Sequence, residues 1–256
     1  NTDDLFVGKT LLHGDVLMWL MKTLLTSGCT NQRGAGQRNE GLREFKWSND
    51  QLGAPAAKIA ALQIYYSIAM SLEFVEMRGA YDMKINRYVS TATFNRFRAL
   101  TGLSRALITA GVEVLERAGL IKRYREGKRC FYEIVGYVPG GGGWCKVPLR
   151  KVLGTAGEIV PFHRFKLRRK IELYAMKFYL YICFARDNTT EGTYASFETI
   201  NKATGIPEKE IPSTYSFLIA VGLINRVDKG NEDSFDPAKR ANTYYVTGSR
   251  EFFARI

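Results

Sequence analysis

The sequence predicts an α+β protein, mostly α, in which two copies of one helix–turn–helix–hairpin unit stand in tandem. A glycine-rich linker joins them, and an N-terminal helical segment precedes them. Three observations carry this expectation. Residues 88–137 hold one complete unit, with two short helices hinged at Thr101-Gly102-Leu103 and a basic hairpin after Gly119. The same wording returns at a constant offset of 103 residues: Thr204-Gly205-Ile206 repeats the hinge. Ile108, Leu115, Gly119, Leu120, Ile121 and Arg123 map to Ile211, Leu218, Gly222, Leu223, Ile224 and Arg226. Such agreement without a gap is rarely accidental. Finally, Pro139 is followed by four glycines, Gly140 to Gly143, which cannot hold regular structure. The division expected is 1–47 for the N-terminal segment and loop, 48–138 for the first unit, 139–160 for the linker and 161–256 for the second unit.

Taken in order, residues 11–26 form an amphipathic helix with Leu12, Val16, Trp19, Leu20, Thr23 and Leu24 on one side. Gly8-Lys9-Thr10 ends like a phosphate loop, but Asp3 stands where such a loop needs glycine. Residues 31–41 have no apolar period and read as a loop carrying Arg33 and Arg38. Ser48-Asn49-Asp50 offers a cap for a long helix from Pro55 to about Met77, with Ile59, Leu62, Tyr66, Ala69 and Phe74 along its stripe. The alternative is a hairpin in which Leu72–Met77 pairs with Met83–Tyr88 around Gly79.

Ser90 and Thr91 are candidate caps for the next helix, since their hydroxyls accept from free N–H groups. Gly102 supplies the left-handed hinge. The second helix, Ser104 to Ala118, buries Ile108, Val112, Leu115 and Ala118 at 3.6-residue spacing. Gly119 ends it, and two strand-like runs flank the turn Arg125-Glu126-Gly127-Lys128-Arg129. These features resemble the winged-helix form of the helix-turn-helix, and "Thr-Gly-Leu-Ser-Arg … Leu-Glu-Arg-Ala-Gly-Leu-Ile" is similar to the MarR- and GntR-type regulators. In the second unit, Pro161 to Arg186 is expected as one long helix. Thr193–Ser196 is a strand and cap, Phe197–Ala203 a short helix, Glu208–Val221 a second helix, and residues 222–227 with 243–246 a long-tipped hairpin. The two-unit layout is similar to that of plasmid replication initiators.

Net charge is +12, and it is concentrated: +6 in residues 55–138 and +8 in 139–186, against zero before and −2 after. A positive centre of this kind attracts a polyanion. The resemblance implies that the second helix of the motif enters the major groove while the hairpin contacts backbone or minor groove. On that helix Ser104, Arg105 and Thr109 are the candidate contacts; Ala106 and Ala110 carry little information, and Glu113 repels phosphate. On the hairpin the candidates are Lys122, Arg123, Arg125, Lys128 and Arg129. In the second unit Lys209, Ser213 and Thr214 are diluted by Glu208, Glu210 and Pro212. Its hairpin mixes Lys239 and Arg240 with Glu232, Asp233 and Asp236. Two uses stay open for that unit: its basic helix start (Arg164, Lys166, Arg168, Arg169, Lys170) on a DNA backbone, and its recognition helix in protein contacts or self-association.

Catalysis finds no pattern. His13 and His163 stand in unrelated contexts, and no nucleophile–base set or metal-ligand spacing occurs. Four cysteines without a C-x-x-C pair argue against zinc and against a disulfide framework. No run approaches the roughly 18 apolar residues of a membrane span, and no signal-peptide pattern opens the chain. The expectation is a cytoplasmic binder of double-stranded DNA, in the bacterial cytoplasm or nucleoid, without enzyme activity, cofactor or metal. It would act as a transcriptional regulator or a plasmid or phage replication initiator. The alternative is a non-catalytic subunit of a larger nucleoprotein complex.

Overall fold

The computed structural model describes residues 41–78, 84–137, 151–186, 190–230 and 241–252. The expected helix at 11–26, the loop arginines Arg33 and Arg38, the Gly140–Gly143 run and the hairpin tip with Lys239 and Arg240 lie outside them. The chain is α+β, with two small antiparallel sheets.

The first half contains helix α1 (Pro55–Met70), strands β1 (Leu72–Arg78) and β2 (Lys84–Ser90), helices α2 (Phe94–Thr101) and α3 (Arg105–Arg117), and hairpin β3 (Ile121–Glu126) with β4 (Arg129–Ile134). The second contains α4 (Val160–His163), α5 (Lys170–Ala185), β5 (Thr193–Ala195), α6 (Phe197–Thr204), α7 (Ile211–Val221), β6 (Ile224–Asp228) and β7 (Asn242–Val246). Strand order is β1-β2-β4-β3 in one sheet and β5-β7-β6 in the other.

The two hinges are alike in their hydrogen bonds. α2 and α6 each end on a left-handed glycine, Gly102 at φ 74° and Gly205 at φ 70°. In the first, the Thr101 hydroxyl donates to Phe97 O at 2.6 Å and accepts from Leu103 N at 3.2 Å. In the second, Thr204 does the same with Ile200 O and Ile206 N at the same distances. A Cβ at Gly102 would sit 2.9 Å from Nδ1 of the exposed His163 ring, which would have to shift. The caps differ from the expected ones. Thr93, not Ser90 or Thr91, accepts from Arg96 N to start α2. Ser90 is buried against Ser71 (2.6 Å), and Thr91 donates to Glu73.

Two long helices are shorter than expected. α1 stops at Met70, where the Ser71 hydroxyl turns back onto Ser67 O and Ile68 O. Leu72 onward alternates as a strand, so the hairpin alternative is the one that forms, in the register Leu72↔Ser90 to Arg78↔Lys84. The helix expected from Pro161 is interrupted. After the short α4 the chain turns through Leu167, at φ 56°, and α5 begins only at Lys170. Across the break the buried Glu172 carboxylate accepts from the backbone N–H groups of Lys166 (2.5 Å), Arg168 (2.8 Å) and Arg169 (2.9 Å). Glu172 itself lies in the first turn of α5, where negative charge is favoured.

One hydrophobic core runs through both repeats. α1 and α5 pack together, with the Tyr66 and Tyr179 hydroxyls 3.4 Å apart and the Tyr66 ring edge-on to Phe162. Ile159 N donates to Leu100 O, seating residues 152–162 on the first repeat. A strap at residues 41–52 crosses between the repeats, its carbonyls held by cations. Lys177 of α5 donates to Phe45 O (3.1 Å), and Lys58 of α1 to Lys46 O, Ser48 O and the Asp50 carboxylate. Arg117 of α3 donates to Gln51 O and Leu52 O. The strap's own Arg43 caps the C-terminus of α6 through Asn201 O and Lys202 O.

Candidate nucleic-acid interface

Four of the candidate contacts converge. Arg105 at the start of α3 and Arg125, Lys128 and Arg129 at the β3–β4 tip line one cleft of about 800 Å³. Local folding explains each position. The Ser104 hydroxyl caps α3 by accepting from Leu107 N, which places Arg105 in the first turn. Asn95 Oδ1 accepts from the Arg105 guanidinium at 3.3 Å and holds it across the face of α2. The hairpin turns at Gly127, whose φ of 57° suits glycine, and this brings Arg125 opposite Cys130 and Glu126 opposite Arg129.

Charge availability separates these cations from several of the others. Arg125, Lys128 and Arg129 are exposed, and among the described residues no ion pair engages them. Arg96, Arg98 and Lys122 are exposed as well, but several other basic groups are committed. Arg123 pairs with Glu116 at 3.0 Å, and Arg87 with Glu133 at 2.6 Å beneath the Tyr124 ring. The Tyr124 hydroxyl, which burial and its bond to Glu133 push above the ordinary tyrosine value, completes that set on the outer sheet face. Lys122 is exposed but lies outside the cleft. Ser104 and Thr109 are exposed, yet both hydroxyls bond their own helix: Ser104 as the cap, Thr109 by donating to Arg105 O.

The second repeat departs further from a groove reader. Thr214 is fully buried and donates to Glu210 O, so it is corrected from a contact to a core residue. Ser213 donates to the same carbonyl, and Lys209 stands exposed in a single turn between Glu208 and Glu210. The basic stretch is not the helix start that was expected. Arg164 donates to Ala220 O and Val221 O, closing the C-terminus of α7. Arg169 lies over the Phe217 ring at 5.5 Å, and Lys170 over Tyr174 at 5.1 Å. Hydrogen bonding to Tyr174 raises the Lys170 pKa. Lys166 and Arg168 keep exposed side chains, with their N–H groups turned to Glu172.

Charge reasoning from the sequence missed the other wall of the cleft. Glu73, Val75 and Glu76 of β1 line it, with Thr91, Thr93 and Phe94 at the start of α2. The hairpin alternative for Leu72–Met77 is the signal that places Glu73, Val75 and Glu76 on a strand. Among the described residues no cluster of His, Cys, Asp and Glu could hold a metal ion, and no helix is long and apolar enough to cross a membrane. No family model, curated protein or solved structure matches the chain.

Proposed function

We propose that this protein binds double-stranded DNA through the start of α3 and the β3–β4 hairpin of its first repeat. In this reading it is a transcriptional regulator or replication initiator built from tandem winged helices, acting in the bacterial cytoplasm or nucleoid. The observation that carries it is the convergence of Arg105, Arg125, Lys128 and Arg129 on one cleft, with the three hairpin cations left unpaired among the described residues. The order helix–strand–helix–helix–hairpin, with the strand just before the helix pair (β2 or β5) pairing the last strand of its sheet (β4 or β7), supports the winged-helix reading. The net charge of +12 supports a polyanionic partner.

The test is duplex binding by fluorescence anisotropy across a salt series. Changing Arg125, Lys128 and Arg129 together to Ala weakens binding to all sequences and flattens the salt slope by about 0.9 for each phosphate no longer neutralised. Arg105→Ala instead alters preference among sequences, by about 1–3 kcal/mol if it reads a base. Unchanged binding in the triple variant, or identical effects of the two changes, would count against this assignment.

The second repeat favours a different use. Glu208 and Glu210 flank the start of α7, and Ile219 on the same helix is 40% exposed. That surface suits a protein contact better than phosphate. Co-purification of a stable partner, abolished by Ile219→Asp while duplex binding persists, is the expected outcome.

A further inference from the structure

Helix α2 carries no carboxylate along Phe94–Thr101. Its helical period, with the Gly102 cap, puts Asn95, Ala99 and Gly102 on one crest, with Arg96 and Arg98 on the two flanks. All five are exposed, and neither arginine side chain has a partner among the described residues. Two further side chains close the ends of the crest. Arg105 of α3 donates to Asn95 Oδ1 at 3.3 Å. At the other end stands the exposed His163, from the stretch leading into the second repeat, with its Nε2 3.3 Å from Ala99 O. From the point that a Cβ on Gly102 would occupy, Nδ1, Cε1 and Cγ of this ring are 2.9, 3.1 and 3.2 Å away. Three bonded ring atoms at nearly one distance place that glycine beneath the ring face. The in-plane bonding direction of Nδ1 therefore points elsewhere, and no partner meets it among the described residues.

The lead-in to the second repeat is fixed against this helix. Ile159 N donates to Leu100 O at 2.8 Å, and Nη1 of Arg96 lies 3.9 Å from the Cβ position of Gly157. The charged side chains on the elements beside the ring are Arg96 and Arg98 of α2, Arg105 of α3, and Glu158, Arg164 and Lys166 of its own stretch. Of these, Arg164 is turned to α7, and the half-buried Glu158 carboxylate lies against Gly154. A crest of small residues between exposed cations suits a phosphodiester backbone, which brings charge and needs no base edge. We propose that α2 and His163 form a second phosphate contact of the duplex, outside the hairpin cleft, so that the second repeat completes the binding surface of the first. Arg96 and Arg98 hold phosphates at the flanks. With Nε2 donating to Ala99 O, Nδ1 can donate to a phosphate only from the charged imidazole, so duplex binding takes up a proton from solvent. The inference rests on the preceding assignment of Arg105 and the hairpin cations to duplex DNA.

Duplex binding by the full chain, read by anisotropy across a salt series and then across pH at fixed ionic strength, tests it. Arg96→Ala with Arg98→Ala weakens binding several-fold on random and own-locus duplexes alike. It also flattens the salt slope by about 0.9 for each phosphate released. Arg96→Lys with Arg98→Lys keeps the slope, which separates lost charge from lost fold. Wild-type binding tightens as pH falls from about 8 to 6, the span in which histidine changes charge. His163→Ala loses that increment, and His163→Arg binds at the upper pH as tightly as the wild type does at the lower. Equal pH dependence in the wild type and His163→Ala overturns the histidine contact. A double alanine variant with wild-type affinity and slope overturns the α2 surface. If either occurs while the hairpin triple variant still loses duplex binding, only this inference fails; if the triple variant also binds as the wild type does, the assignment beneath it fails too.

Discussion

At the scale of single residues, the two lysines that hold the strap show how a cation is kept inside a core. Lys58 and Lys177 are both buried, yet their ammonium groups end on backbone carbonyls, and Lys58 also reaches Asp50. Burial works against the Asp50 carboxylate, but hydrogen bonds from Lys58, Ser48 and Leu52 N outweigh it and hold its pKa below the usual value. Lys177 has no carboxylate. Burial, with Arg43, Lys46 and Lys58 nearby, lowers it from 10.5 to about 7. Between those values the unfolded chain holds a proton that the native protein does not, so unfolding free energy rises with pH through that window. Below about pH 7 the cost of the buried charge is at its largest. Urea titrations at several pH values should therefore show a positive slope in the wild type that Lys177→Met removes. Neither lysine is marked by the sequence as anything but an interruption of an apolar helix. Their roles depend on acceptors 8 to 132 residues away.

At the scale of elements, local chemistry was legible and buried context was not. The hinges at Gly102 and Gly205, the Ser196 cap and both hairpins were legible, whereas the Thr93 and Ser104 caps were not. Nor was the end of α1, because residues 57–70 are buried on every side and leave no polar face to mark a stop. The interruption before α5 was hidden as well. Arg164 to Lys170 is compatible with a helix, and nothing in its pattern marks the three N–H groups from which Glu172 accepts. Thr214 was misplaced because one face of α7 was assigned without its partner helix. α3 approaches α1 closely at Gly111, where an added Cβ would lie 2.7 Å from Ile64 Cδ1 and 3.0 Å from Ala61 N of α1. Gly111→Val forces these helices apart and should lower stability by about 1–3 kcal/mol, measured as a shift in urea midpoint with unchanged slope.

At the scale of the whole molecule, the sequence implies two beads on a glycine string, and the described residues share one core. What the charge pattern could foresee was the place of the cationic cleft in the first repeat; what it could not foresee was that most other basic groups serve the protein itself. Arg43, Arg117 and Arg164 all end on backbone carbonyls of another segment. A shared core implies shared melting. Calorimetry should show a single transition whose van't Hoff and calorimetric enthalpies agree, and Tyr66→Ala should shift the whole of it rather than split it.

The strap has a further consequence for continuity of the backbone. Because residues 41–52 grip α5 and α6 from the first repeat, and α1 packs on α5, covalent connection between residues 138 and 150 is not what holds the halves together. A single cut there should leave a nicked protein that elutes as one particle on gel filtration. The two fragments, mixed after separate denaturation, should find each other and restore it.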